Sequence, residues 1–168
     1  MEELSCYRIK MIHFKLCEKR DIKCIKNLAE IYDEAMKILG VRIWKEEEFL
    51  QLLERNFLIF YVEVNLKILG FIVVKIIKPE AEIINISVKP NYQRTGLGKK
   101  LFTFMISSDL FREVKQILLE VSSGNKKAIK FYKNLGFKII TKRKKYYNIK
   151  GGPYSMKDED ADIMKYFI

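Results

Sequence analysis

One hexapeptide constrains the fold of this chain more than any other feature. Gln93-Arg94-Thr95-Gly96-Leu97-Gly98 lies between an apolar, strand-like run at residues 83–88 and an amphipathic, helix-like run at residues 99–111. A turn in that setting gathers several backbone N–H groups beside a helix N-terminus. Unsatisfied donors and the helix macrodipole together favour phosphate there. A phosphorylated cofactor is the expected occupant.

What the hexapeptide lacks narrows the cofactor. A P-loop needs G-x-x-x-x-G-K-[ST], but Gly98-Lys99 is followed by Lys100, which has no hydroxyl for magnesium. A dinucleotide fingerprint needs a third glycine, and Leu101 stands in its place. The order Gln/Arg-x-x-Gly-x-Gly after a strand instead resembles the acetyl-coenzyme A pyrophosphate loop of the GNAT N-acetyltransferases. The same order also occurs in plain strand-to-helix connectors, so the downstream residues carry the comparison further. Leu119-Glu120-Val121, Asn125, Phe131 to Phe137, Arg143 to Tyr147 and Glu159 to Met164 follow in the order and spacing of one branch. Residues 44–168 resemble the ribosomal-protein-alanine N-acetyltransferases, the RimI family, and their N-terminal acetyltransferase relatives. The first forty or so residues match only in pattern.

Periodicity supplies the rest of the fold expectation. Residues 12–17 alternate as a strand, and Asp21 is placed to cap a helix whose apolar positions Ile22, Ile25, Leu28, Ile31, Tyr32, Ala35 and Leu39 recur at helical spacing and which ends at Gly40. A second helix is expected at 45–55, a hairpin from 58–64 and 68–77 around Asn65-Leu66-Lys67, and a strand at 81–88. The second half then reads as helix 99–111, strand 117–121, helix 126–135 between Asn125 and Gly136, and strands 137–145 and 162–167 joined by a long loop at 148–160. The expected class is α/β (α+β, mixed sheet): a GNAT fold with a mostly antiparallel central sheet of about six to seven strands and helices on both faces. Residues 1–168 are read as a single GNAT N-acetyltransferase domain, a size that buries a real core.

Composition excludes several classes. At 49% hydrophobic and 32% charged residues the chain is neither disordered nor built for a membrane. Its apolar runs are broken by Glu63 and Lys75, and the N-terminus carries Glu2, Glu3, Arg8 and Lys10 where a signal peptide needs an apolar core. A cytoplasmic location is expected. Cys6, Cys17 and Cys24 lack both even number and metal spacing, so buried reduced thiols are expected, with no metal. His13 sits in the first strand pattern and reads as a strand residue. The net charge of +11 suits an anionic cofactor and a polyanion-rich setting. Lys142-Arg143-Lys144-Lys145 beside Tyr146 and Tyr147 is the densest basic patch, but nucleic acid is not required as a partner.

The resemblance implies roles for particular residues. The backbone of Ile86, Ser87 and Val88 is expected to bond the pantetheine arm and polarise the thioester carbonyl, with Asn125 as a further contact. Asn125 is equally suited to be a plain helix N-cap, and the two roles are compatible. Gln93, Arg94, Thr95, Gly96, Leu97 and Gly98 form the implied pyrophosphate loop. Glu120, whose pleat position turns it away from Leu119 and Val121, matches the family's general base. Tyr132 matches its general acid, whereas Phe131 reads as core; a core reading stays open for Tyr132 as well. Tyr146, Tyr147 and Trp44 are implied to line the acceptor groove.

The chemistry bears on the acceptor. An α-amino group has a pKa of about 7.7 to 8 and lysine about 10.4, so neutralising lysine at pH 7 costs about 3.5 kcal/mol more. One carboxylate therefore favours the N-terminal peptide of a protein, in this branch a ribosomal protein beginning with alanine. Two features depart from the branch: Ile43-Trp44 replaces its Pro-Trp, and the 148–160 loop is longer. A small-molecule amine such as a polyamine or aminoglycoside is the alternative acceptor, although the net positive charge would repel it. A silent ribosome- or RNA-binding module is the other alternative, against which stands the presence of both Glu120 and Tyr132.

Overall fold

A computed structural model describes residues 11–37, 43–147 and 159–168, with the side chains of 145–147 and 159 left out. Gly40, Cys6, most of the 148–160 loop and the side chains of Tyr146 and Tyr147 therefore lie outside the described residues. The chain runs β1 (Ile12–Leu16), α1 (Ile22–Met36), α2 (Glu46–Glu54), β2 (Leu58–Val64), β3 (Lys67–Ile77), β4 (Glu80–Val88), α3 (Leu97–Ser107), β5 (Gln116–Ser122), α4 (Lys126–Leu135), β6 (Lys138–Tyr147) and β7 (Glu159–Phe167).

Local chemistry fixes the helix ends. Asp21 accepts from the Cys24 N–H at 2.8 Å to start α1, and Asn125 accepts from the Ala128 N–H at 3.1 Å to start α4. Gly136, at φ 106°, ends α4 in the left-handed conformation that an L side chain resists. The helix expected at 99–111 is a correction. It starts earlier, at Leu97 behind the left-handed Gly96, and stops at Ser107, with a separate 3-10 turn at Asp109–Phe111. The hydroxyls of Ser107 and Ser108 donate to the Phe104 and Met105 carbonyls, which ends the helical run. The last strand also begins earlier than its apolar pattern, because Tyr147 pairs with Glu159 and the Ser123 N–H donates to the Asp160 carbonyl at 2.8 Å.

The seven strands lie in the order β1-β2-β3-β4-β5-β7-β6, and only β4 with β5 is parallel. Alternation along the strands feeds two cores. Phe60, Val62, Ile72 and Val74 point with Ile117, Leu119 and Val121 toward α3 and α4, where Leu101, Met105, Tyr132 and Phe137 complete the cluster. Ile59, Tyr61, Phe71 and Val73 point the other way onto Leu28, Ile31 and Tyr32 of α1 and Phe49 and Leu53 of α2. Among the described residues, no helix is long and apolar enough to cross a membrane.

The middle of the sheet is irregular where it matters for function. Val73 pairs with Asn85 and Val74 with Ile83, so Ile84 is an extra residue, a β-bulge in β4. A one-residue insertion reverses which side chains face which layer. Ala81 and Ile83 face α3 and α4 before the bulge, and Ile86 and Val88 do so after it, while Ile84 packs on the α1 side. At the same place the β4–β5 ladder stops: its last pair is Ile83 with Leu119, although β4 continues to Val88 and β5 to Ser122. The two parallel strands part there and leave a gap in the sheet.

Candidate active site

The gap offers backbone hydrogen-bonding groups. Beyond Ile83, β4 keeps its ladder to β3 through Val88, but its other edge has no strand partner in β5. A buried strand edge needs partners for its N–H and C=O groups, and an extended ligand laid along it supplies them. Gly70 keeps this segment in place. It pairs with Val88, and a Cβ built on it would stand 2.8 Å from the Ser87 carbonyl, so only glycine lets β3 approach the end of β4 so closely. Ser87 is buried, with its hydroxyl donating to Asn85 Oδ1 at 2.7 Å, whereas Ile86 and Val88 pack into the α3–α4 core. The side chains of this segment are thus occupied, and its backbone is the part that faces the gap.

The hexapeptide follows the same rule. The Gln93 side chain donates to the Val88 carbonyl at 3.1 Å and the Thr95 hydroxyl to the Tyr92 carbonyl at 2.6 Å, which ties the loop to the end of β4. Arg94 and Gly96 both have positive φ, 63° and 86°. The first N–H bonded within α3 is that of Lys100, to the Gly96 carbonyl, so those of Leu97, Gly98 and Lys99 are not used by the helix. A Cβ built on Gly96 meets nothing within 4 Å among the described residues, and this open space lies directly at the helix N-terminus. These residues fit a pyrophosphate. Gly98 has a packing role too: a Cβ there would touch the Phe131 ring at 3.2 Å, so α3 and α4 approach each other at this point. Leu97 buries its side chain in the core.

Gly96→Asp tests the loop. Because the space is open, the substitution acts through the left-handed backbone and the added negative charge rather than through a clash. Affinity for acetyl-coenzyme A is expected to fall on the order of a hundredfold by calorimetry; unchanged affinity would remove the phosphate-loop assignment.

Glu120 and Tyr132 stand on opposite faces of the sheet. Leu119 and Val121 point into the α3–α4 core, so Glu120 between them points to the α1 side. Tyr132 is buried in the α3–α4 core against Phe131 and Phe137, with ring centroids 5.4 and 5.7 Å away. Glu120 is 23% exposed and accepts from Arg143 Nη1 through Oε1 at 2.6 Å. Asn125 uses its side-chain oxygen as the α4 cap.

Trp44 stacks on Tyr32 at 4.7 Å with an interplanar angle of 11° and meets Phe49 edge-on at 5.8 Å. Burial, with a smaller push from Glu48, raises the Tyr32 hydroxyl to about 12, so it stays protonated at neutral pH. Trp44 thus joins the aromatic core beneath α1 and α2. A separate cavity of about 730 Å³ lies between α1 and the β2–β3 turn, with Asn27, Tyr61 and Tyr92 on its wall. Glu34 and Lys89, also on that wall, pair at 3.2 Å. It contains neither Glu120 nor Tyr132.

Three residues were not singled out by sequence reasoning. Ile84 makes the bulge, and the doubled Ile83-Ile84 in an otherwise alternating strand was the available signal. Asn85 holds the Ser87 hydroxyl, for which no sequence signal existed. Arg143 stands in the sequence only as the start of a matching segment and as part of a basic run, with no role of its own. In the fold, Lys142 pairs with the buried Asp162 at 3.5 Å and Arg143 pairs with Glu120, so two cations of that run meet acidic partners. Cys17 and Cys24 are buried free thiols, as expected, and no cluster able to hold a metal occurs among the described residues.

Comparison with known proteins agrees with this geometry. Residues 25–137 match the model of the acetyltransferase (GNAT) family. The chain is 36% identical over 121 residues to the [ribosomal protein bS18]-alanine N-acetyltransferase of Escherichia coli (strain K12), covering 72% of this chain and 78% of that one. The crystal structure of the Escherichia coli ribosomal-protein-S18-alanine N-acetyltransferase superposes with a TM-score of 0.76 at 32% identity, over 94% of each chain. The Salmonella typhimurium protein yncA, solved with its cofactor acetyl-CoA, shares the fold at a TM-score of 0.70 and 19% identity, over 93% of each chain. With a family match across most of its length, and with a strand gap beside a helix N-terminus whose first N–H groups the helix does not use, the chain belongs to the GNAT family and is an acetyl-coenzyme A-dependent N-acetyltransferase.

Proposed function

We propose that this enzyme acetylates the N-terminal α-amino group of a protein in the cytoplasm, and that the protein is a ribosomal protein beginning with alanine. The observation that carries this reading is the 36% identity, over most of both chains, to an enzyme named for that acceptor. Acetyl-coenzyme A supplies an activated acetyl thioester. The backbone of Ile86, Ser87 and Val88 holds the pantetheine arm at the gap, where one preorganised donor to a developing oxyanion contributes about 3 kcal/mol.

Glu120 accepts a proton from the acceptor ammonium at its carboxylate, directly or through one water, so that the nitrogen lone pair is free to attack. Tyr132 gives its Oη proton to the departing sulfur. One carboxylate suits an α-amino group, which is within about one unit of neutral pH, far better than a lysine side chain. The family resemblance assigns Tyr146, Tyr147 and Trp44 to the entering peptide; of these, Trp44 is the one whose side chain is described, stacked on Tyr32.

An acetyl-transfer assay across short peptides that differ only in the first residue, with free lysine and spermidine as controls, tests the reading. Preference for alanine is expected. Faster turnover of spermidine or lysine would replace the protein N-terminus by a small-molecule or side-chain amine.

A further inference from the structure

In the basic run that starts at Lys142, the fold turns Arg143 onto the face that carries Glu120. Lys142 pairs with Asp162 in the β6–β7 ladder, and its ammonium meets the Asp162 carboxylate at 3.5 Å. Asp162 pairs in turn with Val121, whose side chain faces α3 and α4. Arg143, the next residue, therefore points to the opposite face. It pairs with Ala161, and Ala161 pairs with Ser122, two residues along β5 from Glu120. The guanidinium thus crosses β7 diagonally, between the positions of Ala161 and Ile163, to reach Glu120 Oε1 at 2.6 Å.

We infer that Arg143 is a positioning residue: it holds the Glu120 carboxylate in the orientation from which it accepts the acceptor's proton. This rests on the reading of Glu120 as general base. A glutamate on a strand turns about three side-chain bonds, and a charge-assisted bond to one oxygen removes most of that freedom. Arginine suits the task because its planar fork fixes direction as well as charge, and because it does not give up a proton at any working pH. The proton taken from the acceptor therefore stays with Glu120. The pair is a poor stabiliser of the fold. The Arg143 side chain is 52% exposed, and pairs with an exposed member contribute little to stability.

Five proteins decide the matter: wild type, Arg143→Gln, Glu120→Gln, the double variant and, as the conservative control, Arg143→Lys. For each, kcat and KM are measured on a peptide beginning with alanine, together with acetyl-coenzyme A affinity and melting temperature. Arg143→Gln should lower kcat on the order of tenfold to a hundredfold, the cost of a misplaced catalytic group. Cofactor affinity and melting temperature should stay at wild-type values. Arg143→Lys, which keeps the charge but loses the fork, should recover part of the rate. In the Glu120→Gln background, Arg143→Gln should cost nothing more, because its effect is exerted through Glu120.

Full kcat in Arg143→Gln would overturn the inference, as would a raised peptide KM at unchanged kcat, which would make Arg143 a peptide contact. An equal loss in both backgrounds would also overturn it. Wild-type turnover in Glu120→Gln would instead remove the base assignment itself, and the two failures are thereby told apart.

Discussion

Glu120→Gln should reduce acetyl transfer by about 10²- to 10⁴-fold at neutral pH, the usual contribution of a positioned general base. The variant keeps the shape of the side chain and a hydrogen-bonding oxygen for Arg143, so the loss falls on proton removal rather than on the sheet. The sign of the pH response follows from the acceptor. An α-amino group with a pKa of about 7.7 to 8 is mostly charged at pH 7 and mostly neutral above pH 9, so part of the rate should return as pH rises. Steady-state rates from pH 6 to 10 measure it. A variant with the wild-type profile would mean that another group takes the proton.

Tyr132→Phe separates a proton donor from a core aromatic. The ring packs between Phe131 and Phe137 in the α3–α4 core, and phenylalanine preserves those contacts. If the hydroxyl protonates the departing sulfur, turnover should drop by about 10²- to 10⁴-fold while acetyl-coenzyme A still binds. If the residue only packs, kcat should hold and, where the hydroxyl is paired, stability should fall by about 1 kcal/mol. Measuring kcat and melting temperature on one preparation distinguishes the two, and a destabilised variant with full kcat would end the role of Tyr132 as general acid.

Much of this architecture was legible in the sequence because its signals are local. The Asp21 and Asn125 caps, the Gly136 stop, the alternating strands and the strand–turn–helix around Gly96 each depend on neighbours a few residues away. Where several apolar residues continued a helical pattern past its end, as at Leu110 and Phe111, the pattern misled; two serine hydroxyls decided the boundary. The gap in the sheet was not legible in the same way. It depends on β4 and β5, separated by a whole helix, ceasing to pair after Ile83 and Leu119. The partner of Glu120 was hidden for a related reason: its identity depends on the β5–β7 and β7–β6 registers taken together, and no spacing in the sequence encodes both. Resemblance supplied Glu120 and Tyr132; topology supplied Arg143.

The placement of Glu120 and Tyr132 on opposite faces of one sheet has a kinetic corollary. On the proposed reading, donor and acceptor approach a common opening from separate sides, so neither has to leave before the other arrives. Transfer then takes place while both are bound, and no acetylated form of the enzyme stands between them. Each spent molecule retreats by its own route: coenzyme A vies with fresh acetyl-coenzyme A, and the acetylated chain with the next free N-terminus. On that reading an acceptor can be held and queried at its first residue while the donor waits, loaded, on the far side of the strands.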